Sequence, residues 1–244
     1  MLRIFYKKDE RQLYTSSGKK NLLTVNSLTN QTYDLIKEDI LTGRICWNER
    51  LDIPQLSERF GVSRSPIIKA IEKLEHENLV VIIPNKGSFV VCPTEKDINE
   101  AYEIRVMVEE TNCELAFQKN REKLIKELDD IEQEKKRNRE KGWNYDYMLY
   151  YDRLFHNAIA SCADNQQLYK IYTSVRCQTD LFMSKSSITR NESIPIEYSH
   201  DTILENLKKE DLSSVLRLMR VHLRQNFNDS ILALNKYLAK TKDM

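Results

Sequence analysis

The sequence predicts a mainly α-helical protein in two parts, the first closed by a β-hairpin and the second an all-α antiparallel helical bundle. Apolar residues recur about three to four positions apart through most of the chain, which is typical of amphipathic helices. β-Branched residues cluster between Asn78 and Val91, and no alternating strand pattern follows them. Strands are therefore expected at one place, early in the chain.

Composition limits the class of protein. The 244 residues are 41% hydrophobic and 31% charged, which allows two modest cores and excludes a membrane protein. No apolar run approaches the roughly 20 residues that a membrane helix needs. Charges occupy the start of the chain, where a signal peptide has its apolar stretch, so a cytoplasmic location is expected. The five cysteines form no CxxC pair and are expected to be free thiols.

Scarce glycines mark the ends of the first two helices. Apolar residues at helical spacing over residues 28–42 predict the first helix, and Gly43 follows where a C-terminal cap is expected. Asp52 followed by Pro54 is a start signal for the second helix, because the first turn tolerates the missing proline N–H. Gly61 is expected to end this short helix.

A third helix and a hairpin complete the first part. Ser65 followed by Pro66 repeats the start signal, and helical spacing continues to about Glu77. Residues 80–83 and 88–91 are predicted strands, joined by a turn at 84–87. Three helices followed by a hairpin is the order of a winged helix-turn-helix, whose third helix enters the major groove of DNA.

The third helix has an apolar and a polar face. Its predicted core residues are Ile67, Ala70, Ile71 and Leu74. The residues predicted to contact DNA are Ser63, Arg64, Ser65, Ile68 and Lys69, together with Lys86 and Gly87 of the hairpin. Arginine suits a guanine edge or a phosphate, serine suits a phosphate, and isoleucine suits a thymine methyl. The alternative is an ordinary small helical bundle whose surface carries these charges.

The overall charge of this part does not favour DNA. Residues 27–93 carry eight Lys or Arg against nine Asp or Glu, whereas DNA-binding domains are usually basic. Residues 1–26 carry six basic and two acidic side chains, a basic arm that either adds phosphate contacts or is a solvated tail. Because the net charge of the chain is +1, DNA affinity must come from the local arrangement of charges.

Residues 33–91 resemble the DNA-binding domain of the GntR family. The resemblance is most specific around the turn, in residues 56–66 (LSERFGVSRSP), and it continues in 74–80 (LEHENLV) and 84–87 (PNKG). Family members usually carry arginine and glutamate where this chain has Ile68 and Lys69. The resemblance implies a transcriptional regulator that binds double-stranded DNA.

The second part is predicted to be helical throughout. Thr94 and Asp97 form a capping box that starts a long amphipathic helix running to about Gln118. Helical spacing continues nearly to the end of the chain, interrupted at Gly142, at the polar residues 184–187 and at Pro195. These interruptions are expected to separate the helices of the bundle.

Three of the four histidines fall in this part. Asp152 and His156 are four residues apart and share one helix face. His200 opens a later helical segment, and His222 lies midway along the last one. Three imidazoles and a carboxylate suit zinc, nickel, manganese or another divalent metal. Spacing alone leaves an alternative open, since such an Asp–His pair is more often a surface ion pair and remote histidines are commonly structural.

These residues lie in motifs that resemble the FCD domain, the ligand-binding half of FadR-like GntR regulators. The matching runs are 152–156 (DRLFH) with Asn165, 199–204 (SHDTIL) and 221–223 (VHL). In metal-containing members an aspartate and three histidines at these positions bind the metal, which implies the ligand set Asp152, His156, His200 and His222. Arg105 resembles an arginine that often lines the effector cavity, so it is expected to pair with a carboxylate effector.

The expected function combines both parts. The chain is predicted to be a homodimeric regulator, not an enzyme, with a palindromic operator and a small organic acid as effector. One alternative is a regulator with a structural or sensed metal and no organic effector. Another is a metal-dependent hydrolase, although the chain has no HExxH, GxSxG or phosphate-cradling glycine motif. The expected boundaries are 1–26 for the arm, 27–93 for the DNA-binding domain, and 94–240 for the effector-binding and dimerisation domain.

Overall fold

A computed structural model describes residues 28–139, 145–184 and 200–242. The predicted basic arm and the interruptions at Gly142 and Pro195 lie outside these residues. Within them the chain forms eight helices and one two-stranded antiparallel sheet, which confirms the predicted fold class. No helix of this described portion is long and apolar enough to cross a lipid bilayer.

The first part contains α1 (Leu28–Leu41), α2 (Ile53–Phe60) and α3 (Arg64–His76). The predicted start of α2 is confirmed, since the Asp52 side chain accepts a hydrogen bond from the Gln55 N–H at 2.8 Å. Gly61 ends this helix with a φ of 64°, a conformation that glycine adopts without strain.

The predicted start of α3 was wrong. The helix begins at Arg64 with Ser63 in the cap position, so Ser65 and Pro66 both lie in the first turn. Proline is tolerated there because the first N–H groups of a helix have no partner within it. A serine before a proline therefore identified the right turn of the chain but not the capping residue.

The hairpin pairs β1 (Val80–Ile83) with β2 (Gly87–Val90), with Ile83 opposite Gly87. The Lys86 N–H donates to the Ile83 carbonyl at 3.0 Å and closes the turn. The second strand thus begins one residue earlier than the sequence predicted, and Gly87 belongs to it. This hairpin is the wing of the winged helix-turn-helix.

The second part contains α4 (Glu95–Arg139), α5 (Tyr145–Cys162), α6 (Gln166–Met183), α7 (His200–Lys208) and α8 (Leu212–Lys242). The capping box is confirmed, because the Asp97 N–H donates to Thr94 Oγ1 at 3.2 Å and the Thr94 N–H donates to Asp97 Oδ2 at 2.8 Å.

The long helix α4 has two arms. The backbone leaves helical geometry at Asn120, with φ −143° and ψ 35°, close to the predicted end of the helix near Gln118, and a second helical arm follows directly. The Asn120 side chain donates to the Cys162 carbonyl at 2.9 Å, at the end of α5. Beyond this point the second arm runs back along α5, where Asn138 donates to the Tyr151 hydroxyl at 2.6 Å.

The two parts share a hydrophobic core. Side chains of α6 and α8, including Leu181 and Leu234, belong to the same buried cluster as those of α1 to α3. The Trp47 indole N–H donates to the Leu181 carbonyl at 3.3 Å, and the Tyr237 hydroxyl donates to the Trp47 carbonyl at 3.1 Å. A second cluster around Phe155 fills the bundle itself. The winged helix-turn-helix is therefore packed directly against α6 and α8.

Candidate DNA-binding surface and metal centre

The polar face of α3 is open to solvent as predicted. The four predicted core residues Ile67, Ala70, Ile71 and Leu74 are all buried. The predicted contact residues Ser63, Arg64, Ser65, Ile68 and Lys69 are all exposed. Ile68 keeps 42% of its surface in water, although isoleucine is usually buried. The helix thus presents one apolar side chain within a polar face that is available to DNA.

The wing adds two more of the predicted residues. Lys86 is exposed at the turn, and Gly87 follows it with a φ of 117°. This φ is strained for residues with a side chain, so the wing requires glycine at this position. The backbone and the Lys86 ammonium are both accessible at the tip.

The four predicted metal ligands come from three helices and converge. Asp152 and His156 lie one turn apart on α5, His200 is the first residue of α7, and His222 lies within α8. All four are buried, and one ligand atom from each lies within 4.8 Å of all the others.

The spacing of these atoms fits a metal ion. His222 Nε2 lies 3.1 Å from His156 Nε2 and 3.4 Å from His200 Nε2. Asp152 Oδ1 lies 3.6, 3.4 and 3.3 Å from the Nε2 atoms of His156, His200 and His222. Metal–ligand bonds of about 2.0–2.2 Å place neighbouring donor atoms about 3.0–3.5 Å apart. Three imidazole nitrogens that face one another and one carboxylate are a donor set suited to a cation.

Neighbouring side chains orient the ligands. Glu109 of α4 hydrogen-bonds His156 Nδ1, which leaves Nε2 directed at the cluster. Arg176 of α6 donates to Asp152 Oδ2, the oxygen that faces away from the histidines. Phe155 stacks on the His200 ring with centroids 3.9 Å apart. Such outer contacts typically fix the orientation of metal ligands.

The electrostatic environment shifts the pKa values of the three histidines in different directions. Burial lowers the pKa of His200 and of His222, which keeps both imidazoles neutral and able to bind a metal. Burial also acts to lower the pKa of His156, but Glu109 and Asp152 outweigh it and raise that pKa. Burial acts to raise the pKa of Asp152, yet Arg176 and His156 hold it well below its usual range. Asp152 is therefore a carboxylate throughout the neutral range.

The predicted effector residue Arg105 lies beside this cluster and is 1% exposed. Its Nε donates to Glu109 Oε1 at 2.6 Å, whereas Nη1 and Nη2 have no hydrogen-bond partner among the described residues. Arg176 Nη1 is likewise without a partner in the described chain. Farther along the same face of α4, both amide atoms of the buried Asn112 lack one as well. Buried polar atoms are normally satisfied, so these donors and acceptors are available to a polar ligand or water.

Sequence reasoning missed most of these neighbours. It gave no role to Glu109, although a spacing of four residues places Glu109 and Arg105 on one helix face. It gave no role to Arg176. In the sequence, Arg176 and Asp180 lie four residues apart and look like an ordinary ion pair on a helix surface. The partners of these residues lie on other helices, and no local pattern reveals them.

The helix α6 links the candidate metal centre to the DNA-binding part. Arg176 contacts Asp152, and the adjacent Cys177 Sγ lies 3.5 Å from Glu77 Oε2. Glu77 is the residue that follows α3, and Lys37 of α1 also donates to it, at 2.6 Å. One turn of α6 therefore contacts the predicted metal ligand Asp152 on one side and Glu77, at the end of α3, on the other.

Two protein families match the chain in consecutive segments. Residues 28–90 match the family described as bacterial regulatory proteins, gntR family. Residues 100–225 match the FCD domain. The second match covers 126 (100 to 225) of the 244 residues, which is more than half of the chain.

Several curated proteins are similar over most of their length. The chain is 25% identical over 213 residues to the HTH-type transcriptional regulator YdhC of Bacillus subtilis, covering 87% of this chain and 93% of that one. It is 27% identical over 195 residues to the gluconate operon transcriptional repressor of Bacillus subtilis, covering 78% of each. It is 25% identical over 204 residues to the transcriptional repressor RspR of Escherichia coli, covering 81% and 86%.

Solved structures share the fold. McbR/YncC of Escherichia coli superposes with a TM-score of 0.70 at 22% identity, covering 86% of this chain and 99% of that one. A GntR transcriptional regulator of Rhodococcus sp. RHA1 superposes with a TM-score of 0.68 at 22% identity, covering 83% and 97%. The arrangement of a winged helix-turn-helix on a helical bundle is thus shared with both.

Proposed function

The chain belongs to the GntR family of bacterial regulatory proteins and carries an FCD domain, and from this premise we propose that a small carboxylate metabolite controls its DNA binding through a metal site. The observation that carries the proposal is the buried convergence of Asp152, His156, His200 and His222. We place the DNA-binding domain at 27–93 and the effector-binding and dimerisation domain at 94–240. The protein acts in the cytoplasm as a homodimer and is not an enzyme.

DNA binding uses α3 and the wing. With α3 in the major groove, Arg64 contacts a guanine edge or a phosphate, and Ile68 contacts a thymine methyl. Ser63, Ser65 and Lys69 contact phosphates, while Lys86 and Gly87 contact the flanking backbone or minor groove. Two copies of the chain would read a palindromic operator whose half-sites lie about 34–36 Å apart.

The four convergent residues would hold a divalent ion, with zinc, nickel and manganese as candidates. Bound there, the ion would supply a positive charge and Lewis acidity that attract a carboxylate oxygen. The protein's own residues prepare the site, because Glu109 fixes the ring of His156 and Arg176 fixes the carboxylate of Asp152.

The effector would bind beside this centre. The Nη1 and Nη2 atoms of Arg105 form a fork with no partner in the described chain, and a carboxylate can accept from both at once. Arg176 Nη1 adds a further donor. Leaving buried donors unsatisfied is costly, so an anionic ligand would gain affinity from them. The name of one relative refers to gluconate, which is itself a carboxylate.

Control of DNA binding would pass through α6. Effector binding at Arg105 and Arg176 would displace this helix, and its contact with Glu77 would carry the displacement to the end of α3. Such coupling requires a packed element with two arrangements that both sites bias. The shared core, with Trp47 against Leu181, supplies the packed contact.

Metal analysis of the purified protein tests the centre. We expect about one divalent ion per chain in the wild type and a loss of most of it in His222→Gln, because each ligand contributes to affinity. The matched control is His76→Gln, since His76 is exposed at the end of α3. Equal metal content in the wild type and His222→Gln would contradict the metal site.

A second measurement separates the effector from a structural metal. Chelation followed by thermal melting and a DNA-shift assay distinguishes them, because a structural metal stabilises the fold even without effector. If metal is present but none of a panel of organic acids changes DNA affinity, the protein is a regulator with a structural or sensed metal and no organic effector.

A further inference from the structure

The DNA-binding part must bind a polyanion without being basic. Its eight basic side chains are Lys37, Arg44, Arg50, Arg59, Arg64, Lys69, Lys73 and Lys86, and they face nine acidic ones. Phosphate contacts depend on cations that are available at the surface, and a cation held by a carboxylate contributes little. DNA affinity therefore depends on which of the eight basic side chains are not held by other residues of the domain.

Four of the basic side chains are engaged within the domain. Arg44 and Arg59 bind the two oxygens of Asp39 at 2.5 and 2.7 Å. Lys37 binds Glu77 at 2.6 Å, and Lys73 donates to Asn30 at 2.7 Å. These four cations are therefore neutralised by carboxylates or tethered by an amide within the domain.

The side chains of the other four have no ion pair or hydrogen bond with any residue that the structure describes. They are Arg50, Arg64, Lys69 and Lys86. Three of them are the basic residues that the sequence assigned to DNA. Arg50 is the fourth, and neither its motif nor its position along the chain marked it.

Arg50 is placed at the wing. Residues 48–51 run beside β2. The Leu51 N–H donates to the Ser88 carbonyl at 2.8 Å, and the backbone of Arg50 forms an antiparallel β-bridge with that of Phe89. The Arg50 side chain is exposed and lies against Gly87. If residue 87 had a Cβ atom, that atom would lie 3.0 Å from Arg50 Nε and 3.6 Å from Arg50 Cζ. The missing side chain of Gly87 leaves room for this guanidinium, next to Lys86.

We propose that Arg50 contacts the DNA phosphate backbone beside the wing. This inference rests on the proposed DNA-binding surface and adds a residue to it. The planar guanidinium suits two oxygens of one phosphate, and its position on Gly87 restrains the long side chain before DNA arrives. Arg50 and Lys86 form one basic edge, while Arg64 and Lys69 form the other on α3.

Salt-dependent binding of the full-length protein to a random-sequence 30-base-pair duplex tests the proposal. For Arg50→Gln we expect about five- to tenfold weaker binding at low salt, and a slope of log affinity against log salt that is smaller by about 0.9 for each Arg50 that contacts the duplex, or about 1.8 for the homodimer. The loss should be the same on a duplex selected by the wild type from a random library, because phosphate contacts carry no sequence information. Arg50→Lys should keep the slope, since the charge is retained.

Three further variants make the result decisive. Lys123→Gln changes the net charge equally but lies on α4, where Lys123 pairs with Glu127 at 3.7 Å, and it should leave the slope unchanged. Gly87→Ala should weaken DNA binding in the wild type, because the added Cβ displaces the Arg50 guanidinium. The same substitution should weaken binding less when it is made in Arg50→Gln, where that guanidinium is already absent. Arg64→Gln is the positive control for the surface itself.

The outcomes separate this inference from the function on which it rests. A reduced slope for Arg64→Gln with an unchanged slope for Arg50→Gln overturns the role of Arg50 and leaves the regulator intact. Unchanged slopes for both overturn the DNA surface and the inference with it. A loss confined to the selected duplex would show base reading by Arg50 and would also overturn a phosphate contact.

Discussion

The proposed DNA-binding surface and the proposed metal centre are both polar sites, but they are constructed in opposite ways. On the surface, Arg64 and Lys69 are exposed, and neither is paired with a described residue. In the metal centre, Asp152 and the three histidines are buried, and each lies within contact distance of others in the group. The first site consists of separate side chains, whereas the second is one connected network.

This difference determines how each site responds to change. Exposed and separate side chains contribute independently, so their removal weakens DNA binding and leaves the fold nearly unaffected. Members of a buried polar network depend on one another, and removing one leaves its partners unsatisfied. Substitutions in the metal centre should therefore reduce stability, ligand binding and control of DNA binding together.

The largest effect is expected at Glu109, which is 2% exposed and binds both Arg105 and His156. Glu109→Gln should lower the free energy of unfolding by about 3–5 kcal/mol, because it leaves a buried guanidinium poorly compensated. The adjacent Glu110 pairs with the exposed Arg220, and Glu110→Gln should leave the free energy of unfolding nearly unchanged, because water screens this pair. Urea denaturation of both variants checks this, and equal losses would remove the contrast between buried and exposed networks.

Metal removal should have the next largest effect. Zinc at one hundred times its dissociation constant should raise the free energy of unfolding of the wild type by about 2.7 kcal/mol. In His222→Gln the same zinc concentration should add little, because one of the four converging donors is gone. Differential scanning calorimetry with and without chelator measures this, and a full zinc effect in the variant would place the metal elsewhere.

On the DNA surface, Arg64→Gln should weaken binding to a selected duplex by about 1–3 kcal/mol. Its melting temperature should match that of the wild type, since Arg64 is exposed and carries no ion pair in the described part of the chain. Fluorescence anisotropy and calorimetry on the same samples test both statements. A marked loss of stability would show that this surface is not built from independent side chains.

The smallest effect is expected at the contact between the two sites. Cys177→Ala removes the Sγ that lies 3.5 Å from Glu77, and it should change the coupling between metal and DNA binding by about 0.5–2 kcal/mol. Metal affinity should stay as in the wild type. Unaltered coupling in Cys177→Ala would mean that α6 transmits through other contacts.

The same contrast explains what the sequence could predict. Helix starts at Asp52 and Thr94 and both faces of α3 were predicted correctly, because a cap or a helix face is fixed by residues within a few positions. The helix break at Asn120 lies close to the predicted end near Gln118, but its contact with Cys162 was not predicted, because that residue lies 42 positions away.

The metal centre was predicted less directly. Spacing related only Asp152 to His156, and the resemblance to the FCD domain supplied His200 and His222. The supporting residues Glu109 and Arg176 lie 47 and 24 positions from the ligands they contact, so no local pattern identifies them. The core shared by Trp47 and Leu181 was missed for the same reason, because apolar residues that join two domains look like those that fill one.

The most direct test of the account measures the affinity for one selected duplex in the wild type and in His222→Gln. Each protein is titrated without metal, with zinc, and with zinc plus an organic acid from the panel that stabilises the wild type. We expect the wild-type affinity to change by about 5- to 150-fold between these states, and the His222→Gln affinity to stay constant. A wild-type affinity that is equal in all three states would contradict control of DNA binding by the buried centre.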